Sequence, residues 1–140
     1  MIQIDAQALA DRYIAQWTEP DAAARRAAVE RLWAPDGTHV LQPPAEIRAT
    51  AAELGFDHVT LEAQGHDAIE TRVTRSYERF VAKEGITFRS RQDAVRLHGL
   101  VKFGWEAVSV ATGEVLSEGL EILLLDETGL ITSDHMFPGP

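Results

Sequence analysis

The chain has 140 residues, which is enough for one domain with one hydrophobic core and too little for two. Its 22 acidic and 13 basic side chains give a formal net charge of -9. Such a charge repels phosphate backbones and anionic lipids, so neither nucleic acid nor a membrane is an expected partner. The absence of cysteine excludes disulfides, thiolate metal sites and cysteine nucleophiles.

The start of the chain, Met1 to Asp5, lacks the basic and apolar regions of a signal peptide. The longest apolar stretch, Ile122 to Leu125, is far too short to span a bilayer. We therefore expect a cytoplasmic protein.

A first helix is predicted over residues 5–18. Asp5 can accept hydrogen bonds from the free N–H groups of the first turn, and Leu9, Tyr13 and Trp17 recur every four residues on one face. The default interpretation of these aromatic side chains is core packing, although in a hollow fold the core and the lining of a pocket are continuous.

Two further helices are predicted in the first half of the chain. Asp21 is the expected cap of the second helix, and the turn sequence of residues 35–37 ends it. The third helix opens at Gly65, where Asp67 and Glu70 have the spacing of a capping box.

The segment between the second and third helices is the hardest to interpret. A short strand is expected over residues 38–42, ending at Pro43. Residues 45–54 favour a short helix that Gly55 ends, and nothing is predicted for residues 56–64.

From residue 86 onward the apolar period changes from about 3.6 residues to about 2, which is typical of strands. The predicted strands are 86–92, 94–110 (one long strand or a bulged pair), 114–125 and 130–137. Helices first and a meander of strands afterwards predict an α+β fold. We expect a cone-like barrel, with three N-terminal-half helices packed on a strongly bent, mostly antiparallel sheet.

The strand that contains Leu120 to Leu125 is apolar on both faces, except at Glu121. The helices can cover only one face of a sheet. The outer face is therefore expected to form a homodimer.

Four motifs connect these elements, namely Arg12 to Ile14, Leu32 to Thr38, Gly65 to Ile69 and Leu125 to Ile131. In their order and spacing the chain resembles the nuclear transport factor 2-like superfamily of α+β cones, and within it the SnoaL-like group. The resemblance covers nearly the whole chain apart from residues 44–64, and implies a single domain over residues 1–140. It implies a small-molecule pocket but no particular activity, because isomerases, cyclases, dehydratases, epoxide hydrolases and non-catalytic binding proteins share this fold.

The ketosteroid isomerase branch of that superfamily allows a comparison residue by residue. Tyr13 matches the tyrosine that donates a hydrogen bond to the developing oxyanion, and Glu121 falls at the position of a second, protonated acid. The general base of that branch is an aspartate just before a proline, where this chain has Gln42. An amide cannot abstract a proton, so isomerase chemistry by that base is ruled out. Counting from the turn at Gly129, the same comparison places Thr132, Asp134 and Met136 on the inward face of the last strand.

Two carboxylates are the main candidates for catalysis. Asp134 is a plausible general base or acid beside Tyr13. Desolvation among leucines and isoleucine would raise the pKa of Glu121 and keep it a neutral hydrogen-bond donor. The alternative for Asp134 is an ion pair with a basic residue on a neighbouring strand. The alternative for Glu121 is a place near a bulge, where it reaches solvent or an arginine such as Arg89 or Arg91.

The remaining residues expected to contact a ligand are Trp17, Trp33, His39, Gln42, Phe103, Trp105 and Met136. The five histidines have no metal-ligand spacing, so no metal site is expected. No phosphate-binding or dinucleotide-binding motif is present, and no cofactor is expected.

Two hypotheses for function follow. In the first, Asp134 moves a proton on a small, partly apolar carbonyl or hydroxyl compound, while Tyr13 and Glu121 stabilise the oxyanion. This would be isomerase-, cyclase- or dehydratase-type chemistry. In the second, the chain is a non-catalytic ligand-binding or dimerisation module, as the missing base at Gln42 suggests. An epoxide hydrolase is a third possibility, for which Arg89, Arg91 and Asp134 supply only part of the required set.

Overall fold

The computed structural model describes residues 3–139. Met1, Ile2 and Pro140, which belong to the predicted domain, lie outside the described residues. The helices are α1 (Ala6–Thr18), α2 (Ala22–Leu32), α3 (Ala45–Glu53) and α4 (His66–Ser76), and α4 continues in π-helical geometry over Tyr77–Lys83. The strands are β1 (Trp33–Leu41), β2 (Leu61–Gln64), β3 (Ile86–Ser90), β4 (Val95–Leu97), β5 (Leu100–Ser109), β6 (Val115–Leu125) and β7 (Ile131–Pro138). Within residues 3–139, no helix combines the length and the apolar character needed to cross a membrane.

The strands form one mixed sheet with the order β2-β1-β7-β6-β5-β3, and β4 pairs with β5 beside this path. The β1–β7 pairing is parallel and the other pairings are antiparallel. The α+β prediction is confirmed, and the four helices are the three main predicted ones and the short one favoured over residues 45–54. The sheet ends at β2 and β3 and does not close, so the architecture is an open cone rather than a barrel.

The first two helices begin where the sequence predicts. The Asp5 carboxylate accepts from the Ala8 N–H at 2.9 Å, and the Asp21 carboxylate accepts from the Ala24 N–H at 2.8 Å. The capping box predicted for α4 is wrong, because no side chain caps that helix. Asp67 instead binds Arg26 of α2, with a distance of 2.7 Å from its Oδ1 to the guanidinium.

Three segments differ from their predicted form. Strand β1 begins at Trp33, directly after α2, and not at residue 38. The predicted strand 94–110 is divided into β4 and β5 by a reversal at His98, whose φ of 51° lies in the left-handed region. Strand β2 falls in the segment for which nothing was predicted. The short helix ended by Gly55, with a φ of 90°, is confirmed.

The hydrophobic core lies between the helices and the inner face of the sheet. It includes Leu9 and Tyr13 of α1, Ile69 and Val73 of α4, and Val101, Phe103, Trp105 and Ala107 of β5. The last four residues alternate along one side of β5, and all four are buried. Burying side chains of this size stabilises a fold by about 1.5–3 kcal/mol each, so these faces fix how the helices sit on the sheet.

On β6, buried and outward-facing residues alternate from Leu120 to Leu125. Leu124, on the outer face, is 40% exposed, and Phe137 of the neighbouring strand β7 is 38% exposed. Phe137 pairs with Leu120, so the outer face carries neighbouring apolar side chains on two strands. The homodimer through this face stays a prediction.

Candidate functional site

Three polar side chains from three elements meet inside the cone. The Tyr13 hydroxyl of α1 lies 3.1 Å from Glu121 Oε2 of β6, and it also hydrogen-bonds to Asp134 Oδ2 of β7. None of the three residues has exposed surface. We call Tyr13, Glu121 and Asp134 the acid cluster.

Strand parity brings the two carboxyl groups of the acid cluster to the same face. Glu121 pairs with Met136, and Asp134 pairs with Leu123, so all four residues point inward from adjacent strands. Tyr13 reaches them from above, because it lies one helical turn after the buried residue Leu9.

The prediction that Thr132 also faces inward is wrong. The β6–β7 register shifts between Leu124 and Leu125, opposite this residue. Ile131 is therefore buried, whereas Thr132 is exposed and its hydroxyl donates to the Leu124 carbonyl at 3.1 Å. A bulge of this kind resets the alternation of faces, which spacing alone does not reveal.

Trp105 holds the second oxygen of Glu121. Its indole Nε1–H donates to Glu121 Oε1 at 3.0 Å. The indole lies directly on Gly119, where a Cβ atom would come within 2.1 Å of Trp105 Cζ2. A glycine is therefore required at this position for the indole to reach Glu121.

Burial and the neighbouring negative charge of Asp134 raise the pKa of Glu121 well above its ordinary value, while hydrogen bonds from Tyr13 and Trp105 oppose that shift. The pKa of Tyr13 is also raised, first by burial and then by the charges of the two carboxyl groups. The hydroxyl of Tyr13 therefore stays protonated at neutral pH.

Arginine does not neutralise the acid cluster through direct contact. Arg89 pairs with Glu106 at 2.9 Å and Arg91 pairs with Glu118 at 3.3 Å. The ion pair considered for Glu121 is therefore wrong, and the arginines of the epoxide-hydrolase possibility are not joined to Asp134.

His39 lies next to the acid cluster. Its Nε2 atom is 3.8 Å from Asp134 Oδ2, which is too long for a hydrogen bond. Burial lowers the pKa of His39, and the nearby charge of Asp134 only partly opposes this effect. His39 is therefore neutral at neutral pH and does not supply a positive charge.

A cavity of about 290 Å³ lies between α1, α4 and the sheet. Ligand pockets commonly begin at about 300 Å³, so this volume suits a small molecule. The polar residues in its wall are Tyr13, Arg72, Ser76, Ser117 and Glu121, and the apolar ones are Ile14, Trp17, Leu41, Pro44, Phe80, Ile86, Phe88, Trp105, Ala107, Leu116, Met136 and Pro138.

Of the predicted ligand-binding residues, Trp17, Trp105 and Met136 lie in the cavity wall, whereas Trp33, His39, Gln42 and Phe103 do not. Trp33 is buried deeper, where its indole N–H donates to Gln16 Oε1 at 3.1 Å. Phe103 packs against the far side of the Tyr13 ring, with ring centroids 5.6 Å apart. Gln42 follows the end of β1 and is exposed.

Asp134 is absent from the cavity wall, unlike the other two members of the acid cluster. It reaches the cavity only through the Tyr13 hydroxyl. Its Oδ1 atom is buried and has no hydrogen-bond partner among residues 3–139. Glu121 is therefore the one carboxyl group that borders the cavity in the described part of the chain.

Sequence reasoning missed Arg72, Ser76 and Phe80, which line the cavity from α4 and its π-helical continuation. They recur every four residues, and that spacing was the available signal. The apolar stripe that begins with Ile69 and Val73 is the stronger pattern on this helix, and it points to the core instead.

In the described residues, no group of three or more histidine, aspartate or glutamate side chains is arranged to hold a metal ion. The fold and the cavity together define an α+β cone whose inner wall carries a buried acid cluster.

Solved structures share this fold. A SnoaL-like family putative isomerase from Agrobacterium tumefaciens superposes with a TM-score of 0.76 at 20% identity, covering 97% of this chain and 100% of that chain. A nuclear transport factor 2-like protein of unknown function from Exiguobacterium gives 0.62 at 20% identity, covering 93% of this chain and 97% of that one. A cystatin-like-fold protein from Methylobium petroleophilum gives 0.63 at 17% identity, covering 96% and 76%.

No family model matches the chain. No curated protein matches it either. The structural likenesses establish the fold, which is the nuclear transport factor 2-like cone found in SnoaL-like proteins.

Proposed function

We propose that the cavity binds a small, partly apolar carbonyl or hydroxyl compound and that the acid cluster moves protons on it. The observation that carries this proposal is the pair of buried carboxyl groups joined through the Tyr13 hydroxyl, of which Glu121 borders a mostly apolar cavity. Apolar side chains at these positions would give a more stable fold, because burying unpaired charge raises the free energy of the folded state. A structural role alone therefore does not explain the two carboxyl groups.

At least one of the two carboxyl groups in the acid cluster carries a proton. Both carboxyl groups are fully buried, and no cationic side chain of the described residues makes a hydrogen bond to either. Two adjacent carboxylates in such a place cannot both be charged at modest cost. Glu121 is the natural site of the shared proton, because its pKa is raised by burial and by Asp134.

The geometry suggests how the roles divide. Neutral Glu121, at the cavity wall, donates a hydrogen bond or a proton to an oxygen atom of the ligand. Tyr13 stabilises negative charge that develops on that oxygen. Asp134, behind Tyr13, exchanges a proton with the tyrosine hydroxyl and acts on the ligand only through it. Isomerase-, cyclase- and dehydratase-type reactions all use such steps.

A non-catalytic binding module is the second candidate. It is favoured by Gln42, which stands where a related active site carries its base, and by the position of Asp134 outside the cavity wall. A binding module would use the same cavity without proton transfer.

Exchange of the ligand's α-protons for deuterium separates the two candidates. The protein is incubated in D₂O with a panel of ketones and keto acids, such as cyclohexanone, phenylacetone and phenylpyruvate, and loss of the α-proton signal is followed by NMR. An acid–base enzyme accelerates exchange with at least one compound. We expect Glu121→Gln to reduce that rate by a factor of about 100 or more, since general acid–base catalysis contributes about 100- to 10,000-fold.

Glu118→Gln is the matched control, because Glu118 is an exposed glutamate on the same strand. It should leave the exchange rate unchanged. Compounds that bind the wild-type protein without any accelerated exchange would contradict the enzyme and support the binding module.

A further inference from the structure

We propose that the ligand carries a carboxylate and that Arg72 of α4 binds it, while the apolar body of the ligand fills the rest of the cavity. This inference deepens the proposed function by naming a ligand class, and it rests on the same cavity. It concerns binding only, so it can be tested without turnover.

Arg72 is placed as a ligand-binding residue would be. It is half-buried in the cavity wall, and its guanidinium carbon lies 5.1 Å from the centroid of the Trp17 ring. Stacking on an aromatic face holds a guanidinium in place and leaves its edge free to donate. Within residues 3–139 the guanidinium has no carboxylate within ion-pair distance and no hydrogen-bond acceptor.

An arginine in this position favours an anionic ligand for a physical reason. Burial already lowers the pKa of Arg72 from its ordinary value, although a guanidinium stays charged in proteins. A charge taken partly out of water is stabilised when it meets an opposite charge. The planar fork of the guanidinium matches the two oxygens of a carboxylate.

Two other donors beside Arg72 have no partner. Ser76 lies one helical turn further along α4 in the same wall, and its hydroxyl makes no hydrogen bond within residues 3–139. The indole N–H of Trp17 is buried and also unpaired. Buried donors are normally satisfied, so the Ser76 hydroxyl in the cavity wall is available to an acceptor that enters the cavity.

The rest of the cavity sets the size and charge of the ligand. One guanidinium balances one negative charge, and the wall around it is mostly apolar. A multiply charged phosphate ester would lack cationic partners here, in a protein whose formal net charge is -9. An apolar monocarboxylate fits the wall best.

Another role for Arg72 must be distinguished. The negative charge of the acid cluster attracts the guanidinium over a distance longer than an ion pair. Arg72 could act only as a distant counter-charge for the acid cluster. In that case the protein would not prefer an acid over its neutral amide.

The test is isothermal titration calorimetry with matched pairs of ligands. The probes are cyclohexanecarboxylate, phenylacetate and phenylpropanoate, each paired with its primary amide. We expect the wild-type protein to bind at least one acid about tenfold or more tightly than its amide, in line with a charge-assisted hydrogen bond. Arg72→Met should lose this preference, and Arg72→Lys should retain part of it.

Arg75→Met removes the same charge from an exposed position on the same helix and should keep the preference. Equal affinity for acid and amide in the wild-type protein would overturn the inference. So would a preference that survives in Arg72→Met, or failure of every acid to bind.

Glu121→Gln separates this inference from the proposed function. It should reduce proton exchange by a factor of about 100 or more and keep the preference for acids. If Glu121→Gln leaves exchange intact while Arg72→Met loses the acid preference, the proposed enzyme fails and the carboxylate site stands.

Discussion

Glu121→Gln should change how the stability of this protein depends on pH. In the folded wild-type protein the acid cluster keeps one proton on Glu121, whose pKa is raised by burial and by the adjacent charge of Asp134. In the unfolded chain both carboxyl groups ionise near their ordinary pKa values, which for glutamate is about 4.3. The folded state therefore binds one proton more than the unfolded state at pH values between the unfolded pKa and the raised, folded pKa of Glu121.

The sign and size of the effect follow from this difference in bound protons. The stabilisation from neutral Glu121 is fully present below the unfolded pKa and is lost as pH rises through the raised, folded pKa. One extra bound proton lowers the free energy of unfolding by about 1.4 kcal/mol for each pH unit. Between the unfolded pKa and the raised, folded pKa of Glu121, the wild-type protein should lose about 1.4 kcal/mol per pH unit relative to the variant.

The glutamine variant suits this measurement because its amide keeps the shape of a neutral glutamic acid. The amide oxygen can still accept the hydrogen bond from Trp105, and the amide nitrogen can donate toward Tyr13 or Asp134. Titrating groups far from the acid cluster contribute equally to both proteins and cancel in the comparison.

Urea unfolding of both proteins, monitored by tryptophan fluorescence at several pH values, gives the two free-energy curves. The expected result is that the difference in free energy of unfolding between the two proteins changes with pH, with a slope that corresponds to about one bound proton. Parallel curves for the wild-type protein and Glu121→Gln would refute the reasoning, because Glu121 would then be ionised in both the folded and the unfolded states.

Four further substitutions, one of them a control, test the fold and the assembly. Gly119→Ala places a methyl group 2.1 Å from Trp105 Cζ2, so we expect it to cost about 1–3 kcal/mol in urea unfolding; an unchanged midpoint would contradict the position of the indole. Leu9 is 1% exposed, so Leu9→Ala should lower the free energy of unfolding by about 2–5 kcal/mol. Leu97 is 72% exposed, so the control Leu97→Ala should change it by about 0.5 kcal/mol or less. Similar losses of stability in the two variants would contradict the position of the core. Leu124→Lys on the outer face should convert the predicted homodimer to a monomer in light scattering; a wild-type protein that is already monomeric would remove the basis for the dimer.

Local patterns predicted much of the fold. Asp5 and Asp21 are capping residues with free N–H groups directly after them, and both caps form. The side chains of β5 alternate as an amphipathic strand requires, and its apolar parity faces the core. Glu121 lies between apolar neighbours, which indicated its burial. These signals depend only on residues close in sequence.

The features that could not be predicted depend on distant parts of the chain. The exposure of Thr132 follows from a bulge in its pairing with another strand. Strand parity placed Asp134 on the inner face, but it does not say how deep a residue lies. Asp134 contacts the Tyr13 hydroxyl and lies outside the cavity wall. Arg72 lies beside an apolar helical stripe, and its place in the wall depends on where α1 and the sheet leave space.

The central claim is that the acid cluster holds a proton beside the cavity at neutral pH. Carbon-13 NMR of the side-chain carboxyl groups, titrated from about pH 4 to about pH 9, tests it most directly, with Glu121→Gln assigning the glutamate signal. We predict that the Glu121 carboxyl still has the chemical shift of a protonated acid at neutral pH and titrates above the range of ordinary glutamates. A Glu121 carboxyl that is fully ionised above its ordinary pKa would contradict the account.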